Sequence, residues 1–297
     1  MTRTVVPELR LAYRPPLATD RVLAFLAARS ISGVELVTGG VYARAMRTAD
    51  GPPIVIGLAP DSDAPFAALR VTGLESDAQS LADVVQAARR LFDLDADPSV
   101  IDAALADDPV MRPLVRAVPG MRVPGSSDGF ELAVRAIVGQ QVSVAGARTT
   151  LGRIAERFGE PLAIPVGSIV RLFPTADRLA DAPRDAFGMP NARADAIVAL
   201  AGAVASGELD LSGAAELAPT LEALRAIPGV GEWTAAYVAM RALRNPDAFP
   251  ASDLGVRHGF QALGLPADLR SIRRHAERWR PWRAYAAMHL WQLQRRS

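Results

Sequence analysis

The sequence predicts an α+β domain followed by an all-α core of two helical subdomains. Three observations carry this reading. Short β-compatible runs occur only in the first ninety or so of the 297 residues. Amphipathic helical spacing dominates from about Ser99 onward, and Pro and Gly cut that part into short segments.

In chain order, "ELRLAYR" alternates Leu9, Leu11 and Tyr13 with mostly charged neighbours, the period of a half-buried strand. "DRVLAFLAARS" reads as a short helix. "GVELVT", "VYARAMRT", "PIVIGLA" and "FAALRVTG" follow as four strands, separated by Gly-Gly, Asp-Gly-Pro-Pro and Asp-Ser-Asp-Ala-Pro turn clusters. "AQSLADVVQAARRLFD" closes the region as an amphipathic helix. Strand, helix, four strands, helix make a small α+β layer over residues 1–95. "VPGMRVPGSSDGFE" is a linker ending in a capping box, Asp128 and Glu131 bracketing the first turn of "FELAVRAIVGQ". Further helices run through "SVAGARTTLGRIAERFG", "ARADAIVALAGAVASG" and "ELAPTLEALRAI". "EWTAAYVAMRAL" is helical until Asn245-Pro246 stops it, and the tail forms two helices divided at Pro281. Residues 126–245 make one helical unit; 96–125 with 246–297 make the other.

Composition narrows the chemistry. No cysteine is present, which excludes disulfides, thiolate metal sites and iron–sulfur clusters. All 33 basic residues are Arg, which excludes Walker-type phosphate binding and any lysine Schiff base. His258, His275 and His289 show no metal-ligand spacing. No apolar run approaches the ~20 residues that span a bilayer, and the start lacks a secretion signal, so a cytoplasmic protein is expected. The net charge of +1 hides an asymmetry. Asp50 to Met111 holds twelve acids against three Arg, whereas Leu254 to Ser297 holds nine Arg against two acids. This places a basic face for a polyanion near the C-terminus, or a solvated arginine-rich helix.

The most informative stretch is "LRAIPGVGEWTAAYVAM", Leu224 to Met240. Pro228 fixes the entry to a turn, and Gly229 and Gly231 permit conformations that other residues resist. The helix after it begins with unpaired N–H groups at the positive end of its dipole, a ready site for phosphate. The string as a whole, apolar–Pro–Gly–apolar–Gly, two residues, then Thr-Ala, is far more specific than its Pro-Gly-Val-Gly turn. It resembles the helix-hairpin-helix motif of DNA glycosylases.

With "FLAARSISGVELV", "FELAVRAIVGQQVSVAGA" and "HAERWRPWRAYAAMHLW", the chain resembles the AlkA-type 3-methyladenine DNA glycosylases over nearly its full length. The resemblance implies a TATA-binding-protein-like first domain, then a helix-hairpin-helix glycosylase core. It implies that Asp253, at the start of a helix 22 residues after Gly231, stabilises a sugar cation and orients water. Capping of its helix is the competing role, and the two are compatible. The helix N-terminus favours the anion.

The same resemblance assigns Trp233, Tyr237, Trp291 and Phe25 to the base pocket, with ordinary core packing as the alternative for each. Strand-cutting relatives of this superfamily carry a lysine where Trp233 stands. A chain without lysine is therefore expected to release the base and stop, only its N-terminal amine being able to substitute. A ring face attracts a cationic purine by about 0.5–2 kcal/mol. DNA-binding roles fall to Gly229, Gly231, Thr234, Gln140, Gln141 and Arg257. Gln141 occupies the family's inserting position, where the best-known pattern has leucine. Carbonyls near Gly229 and Gly231 are implied to hold a structural Na⁺ or K⁺; no side-chain metal site and no organic cofactor are implied.

The expected function is base-excision repair of alkylated purines by a monomer acting on duplex DNA, nucleoid-associated in a bacterium. Two rivals stay open. A non-catalytic DNA clamp would have no use for a carboxylate beside the sugar. A glycosylase for deaminated or oxidised bases would need specific hydrogen bonds or an acid for its neutral leaving group.

Overall fold

Alternate burial along the N-terminal strands gives one sheet a single inward face. The computed structural model of the chain describes residues 8–48, 51–61, 64–74 and 78–293. Of the expected turns, Asp50, Ser62 and Asp63 lie outside the described residues, as do both chain ends. The first region runs β1 (Glu8–Ala12), α1 (Thr19–Arg29), β2 (Glu35–Thr38), β3 (Val41–Met46), β4 (Ile54–Pro60), β5 (Phe66–Thr72) and α2 (Ala78–Phe92). Its strands form one antiparallel sheet in the order β1-β5-β4-β3-β2. Ala67, Leu69 and Val71 of β5, two residues apart, all point into the core. This is the α+β order read from the sequence.

Helices follow: α3 (Pro98–Ala106), α4 (Arg112–Ala117), α5 (Gly129–Val138) and α6 (Val144–Phe158). A hairpin of β6 (Pro161–Val166) and β7 (Ile169–Arg171) interrupts the helical part. The sequence reading missed it, although Leu162, Ile164 and Val166 alternate before Gly167-Ser168. The hairpin buries Leu162 and Ile169 against Ala45 and Val55 of the sheet, so tertiary packing defines it. Then come α7 (Ala176–Ala180), α8 (Asn191–Ala205), α9 (Leu217–Ala226), α10 (Glu232–Arg241), α11 (Leu254–Ala262), α12 (Leu269–Ala276) and α13 (Arg283–Leu293). α10 stops at Arg241, before Asn245-Pro246, and Arg244 takes a left-handed φ of 57°. Among the described residues no helix is long and apolar enough to cross a membrane.

Two cores organise these elements. One joins the sheet, α1 and α2 to the C-terminal helices through Phe92, Met240, Phe260 and Trp279. The other joins α5 to α10 through Phe130, Ile137, Leu200 and Val238. α10 takes part in both, through Met240 in the first and Val238 in the second, and α5 positions the site. Asp128 caps it as expected, its carboxylate accepting from Glu131 N at 3.1 Å. The expected reciprocal half of the box does not form. The Glu131 side chain is buried, accepting from Arg44 Nη2 at 2.7 Å and pairing with Arg135, which also binds Glu35 at 2.6 Å. Burial would raise the Glu131 pKa, but the Arg44 and Arg135 guanidiniums hold it at about 2. An ion pair from the sheet is therefore worth more to this carboxyl than a second cap. The ten residues of α5 rise about 15 Å and lead to Gln140, two residues past its end, which reaches the Pro228–Gly231 turn.

Candidate active site

Asp253 ends the segment "FPASD" as the N-cap of α11, its Oδ1 accepting from Val256 N at 3.0 Å. Two indoles complete its surroundings. Trp291 Nε1 donates to Oδ1 and Trp233 Nε1 donates to Oδ2, each at 2.8 Å. Among the described residues no arginine or histidine is ion-paired with it. Three N–H donors thus fix a half-buried carboxylate that no cation among the described residues neutralises.

The same indoles belong to an arc of rings. Phe25 of α1 and Trp291 of α13 are nearly parallel, 13° apart with centroids at 6.1 Å. Tyr237 follows at 6.2 Å from Trp291, and Trp233 stacks on Tyr237 at 5.4 Å and 21°. The α10 pair is set by helical spacing, four residues apart on one face. The four residues assigned to the pocket are therefore brought together, Trp233 and Trp291 touching Asp253, and Tyr237 and Phe25 joining them through ring contacts.

Two arginines that sequence reading missed close the far side. Arg29 lies 3.7 Å and Arg241 4.8 Å from the Phe25 centroid. Arg241 also donates to Tyr237 Oη at 2.7 Å and to the Pro124 and Gly125 carbonyls. Burial pushes the Tyr237 hydroxyl up, but the Arg241 and Arg29 guanidiniums more than reverse this and leave its pKa below the usual phenol value. A signal was present, since Arg29 and Arg241 each sit four residues after the ring they contact.

At the turn, Gly229 has φ +88°, and a Cβ there would meet Ala196 Cβ at 3.0 Å. Gly231 differs: its φ is −90° and nothing lies within 4 Å of a built Cβ. No contact inside the protein requires glycine at 231. Gln140 Nε2 donates to Gly229 O and to Thr234 Oγ1, both at 2.9 Å. The DNA-facing role given to Thr234 needs correction, because the residue is buried and its hydroxyl is held by Gln140. Thr234 and Gln140 brace the turn from inside. Gln141 is exposed in the left-handed region at φ +55°, between Gln140 and exposed Val142. Arg257 is exposed one turn beyond Asp253.

The monovalent cation implied by the family would rest on backbone oxygens. Those of Gly229 and Gly231 already accept from Gln140 Nε2 and Ala235 N, and two half-engaged oxygens do not make a ligand set. Among the described residues no cluster of three or more His, Asp or Glu could hold a metal. A cavity of about 610 Å³ lies elsewhere, between β3 and the start of α5, and none of the pocket residues lines it.

Residues 134–283 match the HhH-GPD superfamily of base excision DNA repair proteins, and residues 8–128 match the AlkA N-terminal domain. The chain belongs to the HhH-GPD superfamily. This HhH-GPD protein is 38% identical to DNA-3-methyladenine glycosylase 2 of Escherichia coli K12, over 95% of each chain. It is 42% identical to the probable bifunctional transcriptional activator/DNA repair enzyme AlkA of Mycobacterium tuberculosis, over 96% of its own residues. It spans only 56% of that relative's length. In fold it is similar to the 3-methyladenine DNA-glycosylase from Archaeoglobus fulgidus, with TM-score 0.82, 22% identity, and 97% and 98% of the two chains covered.

Proposed function

We propose that the protein is a monofunctional DNA glycosylase that binds duplex DNA as a monomer, flips out an alkylated purine and hydrolyses its N-glycosidic bond. The observation that carries this reading is a carboxylate without a counter-cation among the described residues, held by the indoles of two rings that can receive a base. Extruding the base costs a few kcal/mol of stacking. Because Arg29 and Arg241 already engage the Phe25 ring, attraction for a cationic purine falls mainly to Trp233 and Trp291. A purine such as 3-methyladenine or 7-methylguanine leaves as a neutral base once the C–N bond electrons pass to it. The sugar becomes oxocarbenium-like, and the Asp253 anion stabilises that charge before water adds to the anomeric carbon. Gln141 fills the gap left in the stack. The lack of any lysine supports a reaction that ends at the abasic site.

Purified protein incubated with alkylated duplex DNA is expected to release methylated purines and to leave strands intact until alkali is added. Asp253→Asn should lose release by orders of magnitude and still bind DNA. Strand scission without alkali would overturn the monofunctional assignment, and normal excision by Asp253→Asn would overturn the mechanism.

A further inference from the structure

The described arginines from Arg270 to Arg283 divide by whether a carboxylate engages them. Arg280 and Arg283 are engaged inside the protein, by Asp247 and Glu277. Arg270, Arg274 and Arg278 are exposed, and among the described residues their guanidiniums have no partner. Arg270 and Arg274 are one helical turn apart on α12, with Arg273 beside them. Like charges at this spacing destabilise a helix. Nothing within the described protein repays that cost, which points to an external anion.

Arg273 shows where that anion runs. Its Nη2 donates to both oxygens of Glu232, at 2.7 and 2.6 Å. Glu232 is the first residue of α10, directly after Gly231, so α12 lies against the end of the hairpin. An acid at this position suits the helix dipole but repels a phosphate approaching the same N–H groups. Arg273 cancels its charge.

We propose that α12 is a second docking face for duplex DNA, taking backbone phosphates beyond those at the hairpin, with Arg273 shielding Glu232 from them. This rests on the glycosylase reading for its choice of polyanion. Arg270 and Arg274 contact phosphates directly; Arg278 extends the row. Arg257, exposed on α11 and also without a partner among the described residues, joins the face to the carboxylate.

The test is fluorescence-anisotropy binding of an undamaged duplex over a range of salt, in the Asp253→Asn background so that no base is released. Arg270→Gln and Arg274→Gln should each lower the slope of log K against log salt by about 1. Arg273→Gln should weaken binding about threefold more than either, and adding Glu232→Gln should restore that excess. Unchanged slopes in the first two variants would overturn the docking face, and failure of Glu232→Gln to restore binding would overturn the shield. Wild-type protein that released no base would instead count against the glycosylase reading, leaving the slopes to decide the role of α12.

Discussion

At the scale of single residues, Trp233 and Trp291 each do two things. Their rings line the arc and their N–H groups fix the two Asp253 oxygens. Phenylalanine keeps a ring and deletes the donor, so it separates the two. A hydrogen bond to a charged group contributes about 1.5–3 kcal/mol. Trp233→Phe and Trp291→Phe should therefore slow single-turnover base release by about ten- to a hundredfold while changing DNA affinity little. Equal losses in both quantities would mean that the rings alone matter. Gly231 offers the complementary case. Alanine fits there without strain or contact, so Gly231→Ala should leave thermal stability within about 0.5 kcal/mol. Its cost should appear in DNA affinity, because only an approaching backbone would meet the new methyl. The residues of this site were legible because the motif fixes spacing: Trp233 and Tyr237 share a helical face, and Asp253 begins the next helix. Thr234 was misread because a string cannot show that Gln140, 94 residues away, turns its hydroxyl inward.

At the scale of elements, α5 connects a buried ion cluster to the hairpin. Arg44, Glu35 and Glu131 are buried and satisfied by one another and by the half-buried Arg135, and Tyr42 adds a hydroxyl to Glu35. Removing one member leaves an uncompensated charge, which costs about 3–5 kcal/mol. Arg44→Met is expected to lower the unfolding free energy by that amount, read as a lower denaturant midpoint at an unchanged slope. Glu131→Gln on top of it should recover part of the loss, and no recovery would mean that the cluster is not energetically coupled. The succession of strands and most helices could be read from periodicity and from Pro and Gly punctuation, whereas the strand order within the sheet came only with the structure. Two other features could not be read that way. Glu131 carries the sequence signature of a capping box, yet a partner 87 residues distant takes its carboxylate. The β6–β7 hairpin is short and half-exposed, and it exists because Leu162 and Ile169 find the flank of β3.

At the scale of the whole molecule, two buried groups give stability opposing pH dependences. Burial lowers the pKa of His289 to about 4 and raises that of Asp93 to about 6. For His289 the unfolded chain binds the extra proton between about 4 and 6.5, so stability falls as pH drops through that window. For Asp93 the folded protein holds the extra proton between about 3.8 and 6, so stability rises as pH drops. The two contributions largely cancel near pH 5. Replacing His289 with methionine should remove one of them, worth about 3 kcal/mol at full protonation. Thermal melts of that variant should then fall less on acidification from pH 6.5 to 4 than those of the wild type. Parallel curves would show that His289 is not held neutral.

The stacking of Phe25 on Trp291 ties opposite ends of the chain into one wall. During synthesis the hairpin at Pro228–Gly231 emerges some sixty residues before that wall can close. A nascent or truncated chain that ends before α13 would therefore carry the turn while lacking the Phe25–Trp291 stack. On the glycosylase reading, the arrival of α13 is what would turn a gripper of DNA into one that discriminates among its bases.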